Sequence, residues 1–166
     1  MAKQRGVWLD TPRLDDRVLA TLLQNTPGYE DLFYTVLLGL EFVSVPDLVD
    51  RVQSGLPFSA WETFSKYTRL PEKALLELTH ISRATINRRK KTGHLESLES
   101  ERLLRVARVF GKTLRMFRGD LGKAQKWFTT PRSSLGGKTP FEMTISEIGA
   151  TEVEDVIGRI RYGIYS

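Results

Sequence analysis

Residues 72–91 read EKALLELTHISRATINRRKK, and their spacing predicts two short helices meeting at a tight corner. Pro71 and Glu72 suit a first helical turn, where a missing N–H costs nothing and a carboxylate meets the positive helix end. Ala74, Leu75 and Leu78 repeat at the 3-to-4-residue interval of one buried face. After Thr79-His80-Ile81, the Ser82 hydroxyl is placed to cap a second helix, with Ile81 plugging the corner and Ile86 facing inward. The other residues of this second helix are expected to point outward: Arg83, Asn87, Arg88, Arg89, Lys90 and Lys91. No acid occurs between Glu77 and Glu96.

Such an arrangement is how a helix-turn-helix presents a recognition helix to the major groove. Arginine and asparagine reach guanine and adenine edges, and further basic side chains hold phosphates without reading sequence. The expected division is Arg83, Asn87 and Arg88 on base edges, with Ser82, Arg89, Lys90 and Lys91 on phosphates. Two positions depart from the usual pattern. His80 stands where such corners favour Gly, and Arg89 where a buried aliphatic residue is common.

The rest of the chain is consistent with an all-α protein. Its 166 residues allow one domain or two small ones and bury about 70% of the unfolded surface, enough for a core without staples. Cysteine is absent, which excludes disulfides and thiolate metal sites and suits a reducing compartment. No run of 18 apolar residues occurs, and Met1-Ala2-Lys3-Gln4-Arg5 leads into no signal-peptide core. A cytoplasmic protein without membrane contact is expected. The net charge of +5 is unevenly laid out: Lys and Arg against Asp and Glu number 5 to 8 over 1–60, 11 to 6 over 61–110, 7 to 1 over 111–138 and 2 to 5 over 139–166. A cationic centre between acidic flanks points to a polyanion partner.

Ahead of the corner, residues 1–28 are weakly patterned, with turns at Asp10-Thr11-Pro12 and Thr26-Pro27-Gly28, a helix over Leu14–Gln24 and a mobile start. An apolar stretch, Tyr29–Leu40, ends at Gly39, and 41–45 reads as a strand or extended link. Pro46–Ser54 predicts an amphipathic helix. Pro57 opens another, with Phe58, Trp61, Phe64 and Tyr67 at core spacing or forming a self-association surface. Beyond the corner, Ser97 is expected to cap a helix running to about Phe117. Its apolar stripe is Leu103, Ala107, Phe110, Leu114 and Phe117, and Gly111 is a weak point in it. A second face carries Arg102, Arg105, Arg108, Lys112, Arg115 and Arg118, a ridge suited to phosphates, an acidic partner or solvent. Gly119–Gly122 breaks this helix. Ala124, Trp127 and Phe128 share the next buried face, and Thr151-Glu152-Val153-Glu154 reads as a capping box for a last helix burying Val153, Val156, Ile157 and Ile160. Arg161-Tyr162-Gly163-Ile164-Tyr165-Ser166 is unusually apolar for a chain end, suited to folding back or to inserting elsewhere.

Catalytic chemistry is not called for. Only His80 and His94 are present, without metal-ligand spacing. Gly137-Lys138-Thr139 ends like a phosphate-binding loop, but Arg132 replaces its first glycine. No catalytic residue, metal or cofactor is expected.

Residues 124–166, AQKWFTTPRSSLGGKTPFEMTISEIGATEVEDVIGRIRYGIYS, resemble the toxin-binding region of Xre/MbcA/ParS-type antitoxins. The shared features are Ala124/Trp127, Pro131, Leu135–Pro140, Gly149-Ala150 and Arg159–Gly163. SGLPFSAWETFSKYT (54–68) and SRATINRRKKTGHLESLESERLLRVARVF (82–110) are similar to the family's Xre-type DNA-binding half, so the resemblance spans about 45–166. It implies an antitoxin paired with a RES-domain toxin that destroys NAD. The antitoxin would cover the toxin's active site and repress their shared promoter as a homodimer, on half-sites about one helical turn apart. On this reading residues 1–58 are a helical region with a dimerisation role and 59–119 the Xre-like helix-turn-helix. Residues 120–166 are the toxin-binding region, with Arg161, Tyr162, Gly163, Ile164, Tyr165 and Ser166 entering the toxin. The acidic 139–166 segment would suit a charged partner. The competing reading is a stand-alone phage-type repressor whose tail only dimerises.

Overall fold

Side-chain caps and prolines set the helix starts. In the computed structural model, which describes residues 33–40 and 44–164, Ser44 accepts a hydrogen bond from the Asp47 N–H and opens α1, Val45–Ser54. Then follow α2 (Phe58–Thr68), α3 (Glu72–Thr79), α4 (Arg83–Thr92), α5 (Ser97–Met116), α6 (Leu121–Phe128), α7 (Pro140–Thr144) and α8 (Glu147–Arg161). Short 3-10 helices occupy Phe33–Leu38 and Ser133–Leu135. The expected all-α class holds: the described residues contain no strand, only an isolated bridge between Pro57 and His94. The predicted helix over Leu14–Gln24, the early turns and most of the 41–45 link lie outside the described residues, while Val45 belongs to α1.

Helix α5 is the central post, touching the 3-10 helix Phe33–Leu38, α1, α3, α6, α7 and α8. Leu103, Ala107, Phe110 and Leu114 on its apolar stripe are buried, and Phe117 is half-buried. Edge-to-face ring pairs run from α2 through α5 and α6 to α7: Phe64–Phe110 at 6.3 Å, Phe110–Phe128 at 5.4 Å and Phe128–Phe141 at 6.1 Å. Each such pair adds about 0.5–1.5 kcal/mol beyond its buried area. One continuous core therefore joins the corner helices to the tail.

Three sequence expectations are corrected. Glu96, not Ser97, caps α5, in a reciprocal box with Glu99; its longer side chain still reaches the N3 amide. The capping box expected at Thr151–Glu154 lies inside α8, where Thr151 donates to the Glu147 carbonyl. Ser146 caps that helix, and the true box is Thr139 with Glu142 around Pro140. A Thr-Pro-x-Glu signature was therefore present but overlooked. Finally, Val153, Val156 and Ile157 are buried, whereas Ile160 is 38% exposed, because α8 extends past the elements that cover it.

Gly111 is not a weak point. A Cβ there would lie 2.7 Å from Tyr34 Cβ and 3.2 Å from the Phe33 ring, so the missing side chain lets the 3-10 helix lie against α5. Gly111→Ala gains about 1 kcal/mol of helix propensity but forces a backbone-anchored neighbour aside, at about 1–3 kcal/mol. Chemical denaturation should show a net loss of stability. A gain would mean that this contact is dispensable.

Candidate functional site

The corner has the predicted construction, with the physical reasons for its odd residues now visible. α3 buries Leu75, Leu78 and Thr79, and its C-cap His80 adopts the left-handed conformation (φ 52°, ψ 38°) that Gly usually supplies and that His visits more readily than most residues. The Ile81 amide closes the turn onto the Leu76 carbonyl at 3.0 Å. Ser82 then caps α4, accepting from the Thr85 N–H at 3.1 Å. Ile81 and Ile86 are buried, seating α4 with its opposite face in solvent.

On that face Asn87, Arg88 and Lys91 are exposed. Arg83, at the first turn, is held by Glu72 at 2.9 Å; with both side chains open to solvent the pair is weak. Lys90 lies to the side, 3.9 Å from Glu62. Ala84 is also exposed, on the same face as Asn87, Arg88 and Lys91. The sequence reading passed over it for lack of a polar group, although its spacing of three, four and seven to those residues marks the face.

Arg89 corrects the reading. Expected to point outward onto a phosphate, it is buried, its side chain 8% exposed. Its guanidinium forms a fork on Glu99, Nε to Oε2 at 2.8 Å and Nη2 to Oε1 at 3.0 Å, and also meets Glu96 at 2.5 Å. Its position three residues after Ile86 puts it on the buried stripe, and a bidentate carboxylate partner makes burial tolerable. Burial tends to raise the Glu99 carboxyl, but hydrogen bonds from Arg89 and the Glu96 backbone, with the Arg89 charge, hold it below the usual carboxylate range. The pair ties the last turn of α4 to the first turn of α5.

The basic ridge of α5 is largely consumed inside the molecule. Arg105 donates to the Thr144 and Ile145 carbonyls at 3.1 and 2.8 Å. Arg108 pairs with Glu147 and, at 2.6 Å, Glu154, and Lys112 reaches Glu154 at 2.6 Å. Arg102 donates to the Thr79 carbonyl. Glu147 and Glu154, part of the acidic 139–166 segment expected to face a charged partner, therefore face the chain's own α5. Through these bonds α5 carries α7 and α8, and α7 also touches α3.

The tail is built on α6–α8. Trp127 is buried, with Arg132 lying over its ring at 5.1 Å. The Leu135–Pro140 turn is closed by Arg132 N–H to the Lys138 carbonyl and Gly137 N–H to Arg132, both 2.9 Å. α8 ends at Arg161; Gly163 then turns the chain at φ 67° as the Ile164 amide bonds back to Arg159. Tyr162 is 78% and Ile164 61% exposed, so the described part of the apolar end does not fold back on the core. Arg161 and Gly163 are exposed too; Tyr165 and Ser166 lie outside the described residues.

Among the described residues no group of His, Asp and Glu is placed to hold a metal, and no helix is long and apolar enough to cross a membrane.

Comparison with known proteins matches both halves. Residues 47–108 fit the antitoxin Xre-like helix-turn-helix domain and residues 113–163 the antitoxin Xre/MbcA/ParS C-terminal toxin-binding domain. A protein named antitoxin Xre from Yersinia enterocolitica is 36% identical over 72% of this chain and 81% of its own length. One of the same name from Photorhabdus laumondii is 32% identical over 78% and 88%. A helix-turn-helix whose cationic face is open, fused through one core to a module ending in an exposed apolar tail, belongs to the family of Xre-type antitoxins.

Proposed function

We propose that this antitoxin silences a RES-domain toxin that degrades NAD, by inserting Arg161, Tyr162, Gly163, Ile164, Tyr165 and Ser166 into the toxin's active site. The observation that carries this reading is the exposed Tyr162 and Ile164 on either side of the Gly163 turn, apolar side chains left in water at the end of α8. Such a projection gains from burial in a cleft, and its short anchored length limits the ordering cost on binding.

The same chain, as a homodimer, represses its own promoter. Arg83, Asn87 and Arg88 read base edges, Ala84 approaches a thymine methyl group, and Ser82, Lys90 and Lys91 hold phosphates. Arg89 has no place in this set, since its guanidinium is occupied by Glu99 and Glu96. In this division 59–119 reads DNA, 120–166 meets the toxin and 1–58 contributes to dimerisation.

Deleting Tyr162–Ser166 is the direct test. In cells expressing the toxin, the truncated protein should fail to preserve NAD and growth while still shifting promoter DNA in a gel. Full protection by the truncated protein would overturn insertion as the mode of inhibition.

A further inference from the structure

Besides Gly, left-handed backbone is found among the described residues at His80, Arg69 (φ 51°) and Arg118 (φ 54°). His80 is the corner. The two arginines line one cleft of about 490 Å³, where the end of α2 meets the link between α5 and α6. Asparagine or glycine normally takes such positions, so two arginines held this way in one cleft are a pointed departure; non-Gly residues in this conformation concentrate at functional sites.

The other polar groups of the cleft are occupied. Asp120 caps α6 through the Lys123 amide and pairs with the Lys123 ammonium at 3.2 Å. Gln125 donates to the Thr68 carbonyl. Arg69 and Arg118 are exposed, and neither forms an ion pair with a described residue, unlike Arg83, Arg89, Arg105 and Arg108. Two uncommitted guanidiniums around a concave space are a receptor for a phosphate group.

Location decides which phosphate. Arg69 lies three residues before Glu72, within about 11 Å along the chain, and Glu72 holds Arg83 at the start of the recognition helix. In a docked helix-turn-helix the first helix crosses the sugar-phosphate backbone while the second enters the groove at its N-terminal end. Arg69 sets the cleft beside the start of α3, which the Glu72–Arg83 pair joins to the start of α4. We infer that Arg69 and Arg118 clamp a backbone phosphate of the bound duplex, so that Arg118, which falls within the span matched to the C-terminal toxin-binding domain, contributes directly to DNA affinity. This inference rests on the DNA-binding reading above.

The test compares the full-length protein with Arg69→Asn, Arg118→Asn and the double variant, Asn being chosen because it tolerates the left-handed backbone. Affinity for promoter DNA and for random duplex is measured against salt concentration. Each variant should weaken both DNAs alike, and the double variant, which frees the one clamped phosphate, should flatten the log–log salt dependence by about 0.9. Lysine at both positions, which keeps the charge, should restore most of the slope. Arg88→Ala serves as the control for the recognition helix, with an expected loss of sequence preference. An unchanged slope in a folded double variant, with Arg88→Ala still relaxing preference, overturns the clamp alone; no DNA binding by the native protein overturns the helix-turn-helix reading with it. Titration with inorganic phosphate separates the remaining source: native-only phosphate binding with unaltered DNA affinity means a small-anion site and overturns the assignment to DNA.

Discussion

Arg89→Met should cost about 3–5 kcal/mol of stability, because it strands the Glu99 carboxylate without its charge partner. Glu99 keeps only 12% of its side chain in solvent, too little for water to replace two guanidinium hydrogen bonds; Glu96, at 64%, can turn outward. Glu99→Met removes the fork but leaves the guanidinium its contact with Glu96 at 2.5 Å, so its loss should be smaller. The double variant Arg89→Met/Glu99→Met should regain most of the loss, since a well-packed apolar pair removes both desolvation costs. A double-mutant cycle by chemical denaturation reads the coupling; additive single losses would show that the fork contributes nothing as a pair. The double variant also tests the corrected role of Arg89. If Arg89 only fastens α4 to α5, promoter binding survives in the double variant; a specific loss of DNA affinity at full stability would return Arg89 to the phosphate ligands.

The same pair sets a pH dependence with a definite sign. Glu99 is held below its ordinary value of 4.5 in the folded protein, so between the two values the unfolded chain binds a proton that the folded one does not. Stability therefore rises with pH across that interval. The contribution is complete above about pH 4.5 and is lost as the pH falls through the lowered folded value. Acid unfolding curves of the double variant should lack this portion of the wild-type loss.

Gly149→Ala is expected to be the most damaging single methyl group in the tail. A Cβ at Gly149 would lie 2.0 Å from the Met143 carbonyl oxygen and 2.8 Å from its carbon. Both atoms are backbone, so no rotamer change relieves the clash; α7 and α8 must move apart. Overpacking of this kind costs about 3 kcal/mol or more, or about 6–12 °C in thermal midpoint for a chain of this size. Separation would also disturb Glu147 and the Thr144 and Ile145 carbonyls, which hold Arg105 and Arg108. Protection against the toxin should fall with stability, as read by thermal melts and by growth of cells expressing the toxin. An unchanged midpoint would mean that α7 and α8 are less rigidly joined than this contact requires. Gly149-Ala150, one of the motifs shared with the antitoxins, thus has a packing reason: Gly149 admits a carbonyl and Ala150 is fully buried behind it.

What the sequence determined by itself was whatever depends on near neighbours along the chain. The α3–α4 corner, the Ser82 cap, the buried stripe of α5 and the punctuation by Pro46, Pro71 and Gly93 follow from periodicity and capping, because helix hydrogen bonds and caps span only three or four residues. The tail motifs were equally legible. Pairings across the chain decided the rest. Arg89 reads as one more cation in a basic run until α5 brings Glu99 against it, and the ridge of α5 reads as a phosphate track until Glu147 and Glu154 arrive from about 40 residues away. Gly111 looks like a defect until Tyr34 fills the space above it. Charge and helix propensity are properties of single residues. Whether a charge is spent, or a missing side chain needed, depends on which distant atoms share its few ångströms, and only the tertiary packing decides that.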